Sequence, residues 1–415
     1  MKKRKITSVF LALGLFASLL FQVPISAEEA DQSAAVEASS TISTNSISGW
    51  PQASDISSEA AVVMENTTNT ILYSKNADEV LFPGSTVKIM TCLLALENTQ
   101  LTDEVTMTAT GVSGVTDGGA SISSQVDEVF TVEQCLYAIM VASANDIALQ
   151  IAEHVGGSVD GFVQQMNTRA QELGCTNTVF TNPTGLPDDN QHTTAHDMAL
   201  IMQAAIQNES FRTIAAATSY TIPATNKAAA RNLTSKFTMT DTGSTGFYEG
   251  CIGGKEGYTE ASGSTLVCAA QRNGMTLISV VLKGASGQTA PDAASILNYG
   301  FDQFVTLSLG DSDFSIISGG DVVVPAGTDS LTTEDSQNGD QIDRTYLFNG
   351  TSVGSAVLEV VQSDDTASVQ EGQQHMQAAK DYSDNHTEIP YFVIAGVFLL
   401  LLILLIWRIV KIVKS

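Results

Sequence analysis

The pattern of apolar and polar positions predicts strands at the start of the folded region, then helices. Short β-rich runs at 61–64 and 70–73 are separated by a polar turn, which is typical of a hairpin. After Pro83-Gly84, the stretch STVKIMTCLLALEN has one apolar face and predicts a helix that begins at Ser85. Further helical patterns cover 132–154 (interrupted near Ser143), 162–173, 194–206 and 293–305.

Beyond Tyr248 the pattern returns to strands, at 251–259, 264–272 and 275–282. Asn273-Gly274 is a strong turn signal between the last two. Strands, a long helical middle, strands and a closing helix indicate an α/β fold in which an antiparallel sheet carries a helical insertion. Short β-rich runs separated by Gly, Asp and Ser then predict a small all-β domain at 310–361.

The two ends of the chain read as targeting and anchoring segments. Residues 1–27 have a basic start, an apolar run and a small-residue end, the layout of a secretory signal peptide, with an uncleaved anchor as the alternative. Residues 391–407 are apolar without interruption and are followed by three cations. This predicts one transmembrane helix at 390–410 and a cytoplasmic tail at 411–415, with an interfacial helix as the alternative.

Two polar segments link these ends to the folded part. Residues 28–58 are rich in Ser, Ala, Thr and Glu without apolar periodicity, which favours a flexible spacer. Residues 362–389 are also polar and fit a stalk that leads to the cell membrane. The region between the signal and the predicted helix would then lie outside the membrane.

Charge is distributed unevenly along the chain. All 45 acidic residues lie between the two terminal segments, together with 12 of the 19 basic ones, so this region has a net charge near −33 (12 minus 45). Such a surface repels nucleic acid, and no nucleic-acid partner is expected. It indicates a well-solvated acidic protein.

Neither the histidines nor the five cysteines form a recognisable metal motif. His192 and His196 have helical spacing beside Asp197, but no third ligand accompanies them, so no metal and no cofactor are expected. Cys251 and Cys268 flank a predicted hairpin and could pair across it. The alternative is that the cysteines are small buried apolar residues.

Ser85 and Lys88 form the first candidate for chemistry. Residues three apart share one face of a helix, so the hydroxyl and the amine can meet. Serine is a weak nucleophile unless a neighbouring base takes its proton, and lysine can act as that base if burial and a nearby cation lower its pKa. The alternative is a serine cap beside a solvated lysine.

Two further constellations follow in order: Ser143-Ala-Asn145 within VASAND, and Lys255-x-Gly257 on a predicted strand. Taken singly, the first fits a helix boundary and the second an ordinary strand lysine beside a glycine. S-x-x-K, an S-x-N element and K-x-G in this order, however, match the signature of penicillin-binding proteins and related β-lactamases.

The surrounding stretches make the match specific. LFPGSTVKIMT, LYAIMVASANDIALQIAEHVGGS, NPTGLPDDNQHTTAHDMALI and GGKEGYTEASGSTLV together resemble the D-alanyl-D-alanine carboxypeptidases, the low-molecular-mass serine penicillin-binding proteins. The resemblance covers roughly 57–305. It implies a penicillin-binding transpeptidase-like, β-lactamase-like catalytic domain, here bounded at 59–307, with an antiparallel sheet and a helical subdomain.

The resemblance also implies a reaction and its residues. Ser85 would be the acylated nucleophile, Lys88 its general base, and Ser143 a proton relay to the leaving amine. The substrate would be the peptide stem of peptidoglycan, trimmed of its terminal D-alanine outside the cell membrane. β-Lactam antibiotics would be covalent inhibitors.

The remaining site residues would bind substrate. The resemblance implies that Asn145 contacts the peptide backbone and that Lys255 attracts the terminal carboxylate and helps lower the pKa of Lys88. Gly257 would let the ligand approach, and the N–H groups of Ser85 and Tyr258 would form the oxyanion hole.

Glu256 departs from the family, which usually has Thr or Ser there to bind the substrate's carboxylate. A glutamate repels that anion, unless it points away, pairs with Lys255, or selects a different substrate end. The alternatives to an active carboxypeptidase are a catalytically weak wall-binding protein and, less favoured, a β-lactamase. The latter would need a water-activating group for fast deacylation.

Overall fold

The computed structural model describes residues 42–115, 119–310 and 314–360. The predicted signal peptide, most of the spacer, the stalk, the transmembrane helix and the tail lie outside these ranges. Within them, no helix has the length and apolar character needed to span a membrane.

The described residues form helices and strands that alternate along the chain. The helices are α1 (Lys88–Asn98), α2 (Ala109–Ser113), α3 (Val132–Val141), α4 (Asn145–Gly156), α5 (Val159–Glu172), α6 (Ala195–Gln207), α7 (Glu209–Ala215) and α8 (Thr289–Gln303). The strands are β1 (Ala60–Glu65), β2 (Ile71–Lys75), β3 (Glu104–Thr106), β4 (Val129–Thr131), β5 (Ser219–Ile222), β6 (Arg231–Thr234), β7 (Cys251–Thr259), β8 (Gly263–Arg272), β9 (Met275–Gly284), β10 (Phe304–Ser308), β11 (Phe314–Pro325), β12 (Thr332–Asn338), β13 (Gln341–Phe348) and β14 (Thr351–Val360).

The central sheet is antiparallel and five-stranded, in the order β2-β1-β9-β8-β7. It joins the first hairpin to the last three strands of the catalytic region, so the helical middle is an insertion, as predicted. The turn between β8 and β9 has φ of 50° at Asn273 and 84° at Gly274. Positive φ at both central residues is the requirement of a type I′ turn, which confirms the hairpin.

Each face of the central sheet is covered by a different hydrophobic core. On β1, Val62 and Met64 pack with the helical layer that contains α1, α3, α4 and α6. The alternate residues Ala61 and Val63 pack with α8. Because both faces are buried, the strand reads as a continuous apolar run without alternation. Strand β7 lies at the edge of this sheet, where a groove can form beside it.

The closing helix differs from its predicted bounds of 293–305. The structure places α8 at Thr289–Gln303, and the chain then becomes strand β10. Phe304 is buried against aromatic neighbours instead of continuing the helix, with its ring 5.0 Å from that of Trp50. The β region therefore begins at Phe304, earlier than the predicted 310.

The second sheet is also five-stranded, in the order β10-β11-β14-β13-β12. Its buried residues share one hydrophobic core with α8 and the outer face of the central sheet. An all-β C-terminal region is therefore present in the described residues, but it packs on the catalytic region through a common core.

Residues 42–58 differ from the expected flexible spacer. Trp50 is 3% exposed, packs between Phe304 and Phe348, and donates its indole N–H to the carbonyl oxygen of Leu72 at 3.0 Å. Other contacts hold the segment as well: the Ser58 hydroxyl donates to Asp292 at 2.7 Å, Tyr299 donates to the carbonyl oxygen of Pro51 at 2.7 Å, and Ile56 is buried. Together these contacts offset the entropy of ordering the backbone.

Candidate active site

Ser85 lies in a single 3₁₀ turn, Gly84–Val87, that continues into α1. Gly84 has φ of 57°, so the chain turns sharply just before the serine. Lys88 is the first residue of α1 and is completely buried. The alternative of a capping serine with a solvated lysine is therefore wrong, since the N-cap of α1 is Val87 and its side chain forms no cap hydrogen bond.

The amine of Lys88 has three oxygen neighbours. Its Nζ lies 3.3 Å from Ser85 Oγ and 2.8 Å from Asn145 Oδ1, and it also donates to the carbonyl oxygen of Thr184. The Asn145 and Thr184 oxygens are acceptors only. A neutral amine has two N–H groups, which these acceptors use, and one lone pair, which is then left for the Ser85 hydroxyl. The geometry suits a base that accepts the serine proton.

The electrostatic environment favours this neutral form. Burial, and then the nearby Lys255 cation, hold the pKa of Lys88 well below its usual range. Lys255 is itself 3% exposed, and burial lowers its pKa to about 8. Its Nζ donates to the backbone carbonyl oxygen of Glu256 at 2.9 Å. The site therefore places a buried amine of lowered pKa beside a second lysine.

Ser143 and Asn145 stand where α3 ends and α4 begins, which is the helix interruption predicted near Ser143. Ser143 has φ of 57°, a strained conformation for serine, costing on the order of 1–3 kcal/mol. The flanking amides hold it: Ala144 N–H donates to Ala138 O at 3.1 Å and Asn145 N–H to Ala120 O at 2.8 Å. The strained turn directs the Ser143 side chain to the cleft.

A buried carboxylate fixes the segment that faces this turn. Asp146 is 1% exposed and accepts hydrogen bonds from the hydroxyl of Ser121 at 2.7 Å and that of Ser124 at 2.8 Å. It also accepts from the backbone amide of Ser124 at 3.1 Å. The start of α4 and the segment after Ala120 are therefore held as one unit.

Strand β7 lies directly against the nucleophile turn. A Cβ atom added to Gly257 would lie 2.6 Å from the backbone N of Ser85 and 2.8 Å from Thr265 Oγ1. A Cβ atom essentially never comes this close to a neighbouring atom, so only glycine allows the strand to approach this closely. The Ser85 amide is thereby placed beside the backbone of β7.

The predicted site residues meet at one cleft of about 330 Å³. Ser85, Ser143, Asn145, Lys255, Gly257 and Tyr258 line it, and Lys88 lies beneath Ser85. The structure thus brings together every residue that the sequence selected. Tyr258 is 64% exposed, so its contribution at the cleft is its backbone and an outward ring.

A second cavity of about 500 Å³ extends past the edge of β7. It shares Lys236, Glu256, Gly257 and Tyr258 with the first cleft, so the two are adjacent. Its other walls come from the segments at 238–246, 264–265 and 286–291 and consist of hydroxyl-bearing and small residues.

Glu256 borders both cavities, and strand alternation places its side chain on the face of β7 opposite to Lys255 and Gly257. It forms no ion pair with Lys255, whose ammonium instead binds the backbone, and no hydrogen bond of its carboxylate is found among the described residues. Burial raises the pKa of Glu256, while Lys255 and Lys236 oppose that rise.

Sequence reasoning missed the Thr184 carbonyl and Lys236. Thr184 lies in NPTGLP, which reads as a turn, and Asn182 Oδ1 fixes that turn by accepting from the amide of Gly185 at 2.8 Å. The turn could be predicted from these residues, but nothing in the sequence indicated that the Thr184 carbonyl oxygen accepts a hydrogen bond from Lys88. Lys236 follows the short strand β6 and has no motif around it.

The cysteines do not pair. All five are free thiols, and the strand register sets Cys251 opposite Ala270 and Cys268 opposite Gly254. His192 and His196 bind different partners, the Asn190 carbonyl oxygen and the Asp78 carboxylate.

Comparison with known proteins agrees with this geometry. The family model described as D-alanyl-D-alanine carboxypeptidase (peptidase S11) matches residues 47–286, more than half of the chain. The chain belongs to this family. Its central sheet with an inserted helical layer is accordingly the penicillin-binding transpeptidase-like fold.

Several curated proteins are similar to this family member. The D-alanyl-D-alanine carboxypeptidase DacF of Bacillus subtilis (strain 168) is 35% identical over 257 residues, which are 60% of this chain and 63% of that protein. The D-alanyl-D-alanine carboxypeptidase of Streptomyces sp. (strain K15) is 33% identical over 59% of this chain and 88% of its own length. The match to DacF thus spans less than two thirds of that protein.

The solved structures show the same fold. The crystal structure of the Streptomyces K15 DD-transpeptidase matches with a TM-score of 0.57 and 31% identity, over 61% of this chain and 100% of that one. A D-alanyl-D-alanine carboxypeptidase from Mycobacterium tuberculosis H37Rv matches with a TM-score of 0.56 and 27% identity, over 62% of this chain and 95% of that one.

Proposed function

We propose that the chain is a serine-type D-alanyl-D-alanine carboxypeptidase that trims the terminal D-alanine from peptidoglycan stem peptides. The observation that carries the proposal is the completely buried Lys88 amine, whose Nζ lies 3.3 Å from Ser85 Oγ and beside the Lys255 cation. A solvated lysine would be protonated at neutral pH and would not act as a base.

Acylation starts when Ser85 Oγ attacks the carbonyl carbon of the penultimate D-alanine and its proton passes to Lys88 Nζ. The N–H groups of Ser85 and Tyr258 stabilise the oxyanion, a contribution of about 3 kcal/mol for each donor. The C–N bond then breaks, and Ser143 relays the proton from Lys88 to the leaving amine. Water attacks the Ser85 ester while Lys88 takes its proton, and Lys88 passes that proton to Ser85 Oγ as the acyl product leaves as a carboxylic acid.

Asn145 and Lys255 have supporting roles. Asn145 Oδ1 positions Lys88, and its amide group lines the cleft where the substrate backbone would lie. Lys255 provides positive charge that keeps Lys88 neutral. The same reaction on the strained amide of a β-lactam would leave a stable ester on Ser85, so β-lactams are expected to be inhibitors.

We further propose that the catalytic domain lies outside the cell, anchored by one membrane helix at 390–410. The support is the uncharged apolar run 391–407, its basic flank, and the signal-like residues 1–27. The strongly acidic region between them suits a solvated, extracytoplasmic location.

Release of D-alanine tests the activity. The protein, in detergent as the full chain, is incubated with a stem pentapeptide, and free D-alanine is quantified for wild type and Ser85→Ala. We expect release by wild type and a loss of about 10⁴-fold or more in the variant. Equal rates for both proteins would contradict the proposal. Absence of release by a wild type that still binds the peptide would favour a wall-binding protein.

A further inference from the structure

The two faces of β7 present different groups to the groove. Side chains alternate along a strand, so Lys255 and Gly257 face the helical layer and the nucleophile, and Glu256 and Tyr258 face the other way. Glu256 stands at the junction of the 330 Å³ cleft and the 500 Å³ cavity. A substrate that extends past Ser85 into the 500 Å³ cavity would therefore meet this carboxylate.

The 500 Å³ cavity is lined by two charged side chains of opposite sign. Among its lining residues Lys236 is the only cation and Glu256 the only carboxylate. The others are hydroxyl-bearing or small: Thr238, Ser244, Thr245, Gly246, Gly257, Tyr258, Ser264, Thr265, Ser286, Gly287, Thr289, Ala290 and Pro291. Hydroxyls accept as well as donate, so this wall can bind polar groups of either kind, and the charge preference depends on Lys236 and Glu256.

The carboxylate of Glu256 is available to a ligand. It forms no hydrogen bond or ion pair within the part of the chain that the structure describes, although the side chain is partly buried. Lys236 forms none with it either, and Lys255 is turned to a backbone oxygen. A partly desolvated carboxylate without partners favours an N–H donor and disfavours a second anion.

We propose that Glu256 is a specificity-determining residue that selects leaving groups bearing an N–H donor, a carboxamide or an ammonium, in place of the free terminal carboxylate. This inference rests on the proposed function, and it takes the leaving residue to extend past the edge of β7 into the 500 Å³ cavity. The bond broken is still the amide between the D-alanyl acyl group and the leaving amine. Only the group at the far end of the leaving residue differs.

The selection can be tested with two peptides that share one acyl part. One ends in D-Ala-D-Ala with a free carboxylate, and the other in D-Ala-D-alaninamide. We expect wild type to cleave the amide with at least about tenfold higher kcat/KM, since Glu256 attracts one end and repels the other. Glu256→Thr should reverse the preference, raising kcat/KM for the acid about tenfold or more.

Two further variants separate charge from shape. Glu256→Gln keeps the size of the side chain and removes its charge. Its kcat/KM for the peptide with a free carboxylate should therefore rise toward its kcat/KM for the amide peptide. Glu260→Gln, at an exposed position of the turn after β7 that does not line either cavity, should behave as wild type. Thermal unfolding of each variant checks that the fold is kept.

The outcomes distinguish the two proposals. If the wild type prefers the peptide with the free carboxylate, and Glu256→Thr and Glu256→Gln have the same preference, the proposed role of Glu256 is wrong. Cleavage that depends on Ser85 would still support the carboxypeptidase activity. If neither peptide is cleaved, or if Ser85→Ala cleaves them equally well, the proposed function fails and the selection fails with it.

Discussion

The two faces of strand β7 differ in how many of their polar groups have a hydrogen-bond partner. On the face toward Ser85, Lys255 is buried and hydrogen-bonded, and Gly257 is packed too tightly for any other residue. On the opposite face, Glu256 has no partner among the described residues and Tyr258 is largely exposed. The face of β7 toward Ser85 is therefore fixed by packing, while the face that carries Glu256 and Tyr258 is held by fewer contacts.

The largest effect is expected at the base. Lys88→Met keeps much of the side-chain volume and removes the amine, and we expect kcat to fall about 10³-fold, within the range for loss of a general base. Intact-protein mass spectrometry would follow acylation of Ser85 in parallel. Lys283→Met, at an exposed lysine paired with Glu59, is the matched control and should keep full activity. A variant at Lys88 with near-normal rates would show that another group takes the serine proton.

The packing of β7 gives the second prediction. Gly257→Ala should lower kcat/KM about 10²-fold, because the new methyl group would force the strand away from the Ser85 amide and misplace the oxyanion donors. Gly243→Ala is the control, since a Cβ atom there would meet its nearest neighbour at an ordinary 3.4 Å. If Gly257→Ala leaves catalysis intact, the close approach is not needed for it.

A pH profile tests the protonation states proposed for Lys88 and Lys255. Activity needs Lys88 neutral and Lys255 charged, so kcat/KM should rise with pH as Lys88 loses its proton. It should fall again above the Lys255 pKa of about 8, about tenfold between pH 7 and 9 for a single group. The neutral D-alaninamide peptide avoids titration of the substrate. A profile that keeps rising to pH 10 would show that the charge of Lys255 is not required.

The smallest effect is expected at Lys236, which borders both cavities. Lys236→Gln should lower kcat/KM for the acid peptide a few-fold, since it removes the cation that partly offsets Glu256, and should leave the amide peptide nearly unchanged. Equal losses on both peptides would point to a structural role instead.

The sequence predicted the central sheet and the acylation residues for identifiable reasons. β1, β8 and β9 are buried and rich in apolar residues, and Ser85 and Lys88 are three residues apart, so local spacing determined their contact. Ser143 and Asn145 were recognisable because a helix interruption carried a motif.

Other features depend on contacts between distant residues and left no local signal. Strand β12, TTEDSQN, is exposed along its whole length, so no apolar period marks it. The Thr184 carbonyl is a backbone group that any residue would supply. Trp50 orders a polar segment only because Phe304 and Phe348 meet it in three dimensions.

The most direct test of the account is to locate the covalent bond. The full chain is incubated with a β-lactam whose carboxylate is esterified, to avoid repulsion by Glu256, and tryptic peptides are analysed by tandem mass spectrometry. We predict a mass increase equal to one drug molecule, located on Ser85, and no adduct on the Ser85→Ala protein. An adduct on another residue, or an equal adduct on the variant, would contradict the assignment of Ser85 as the nucleophile.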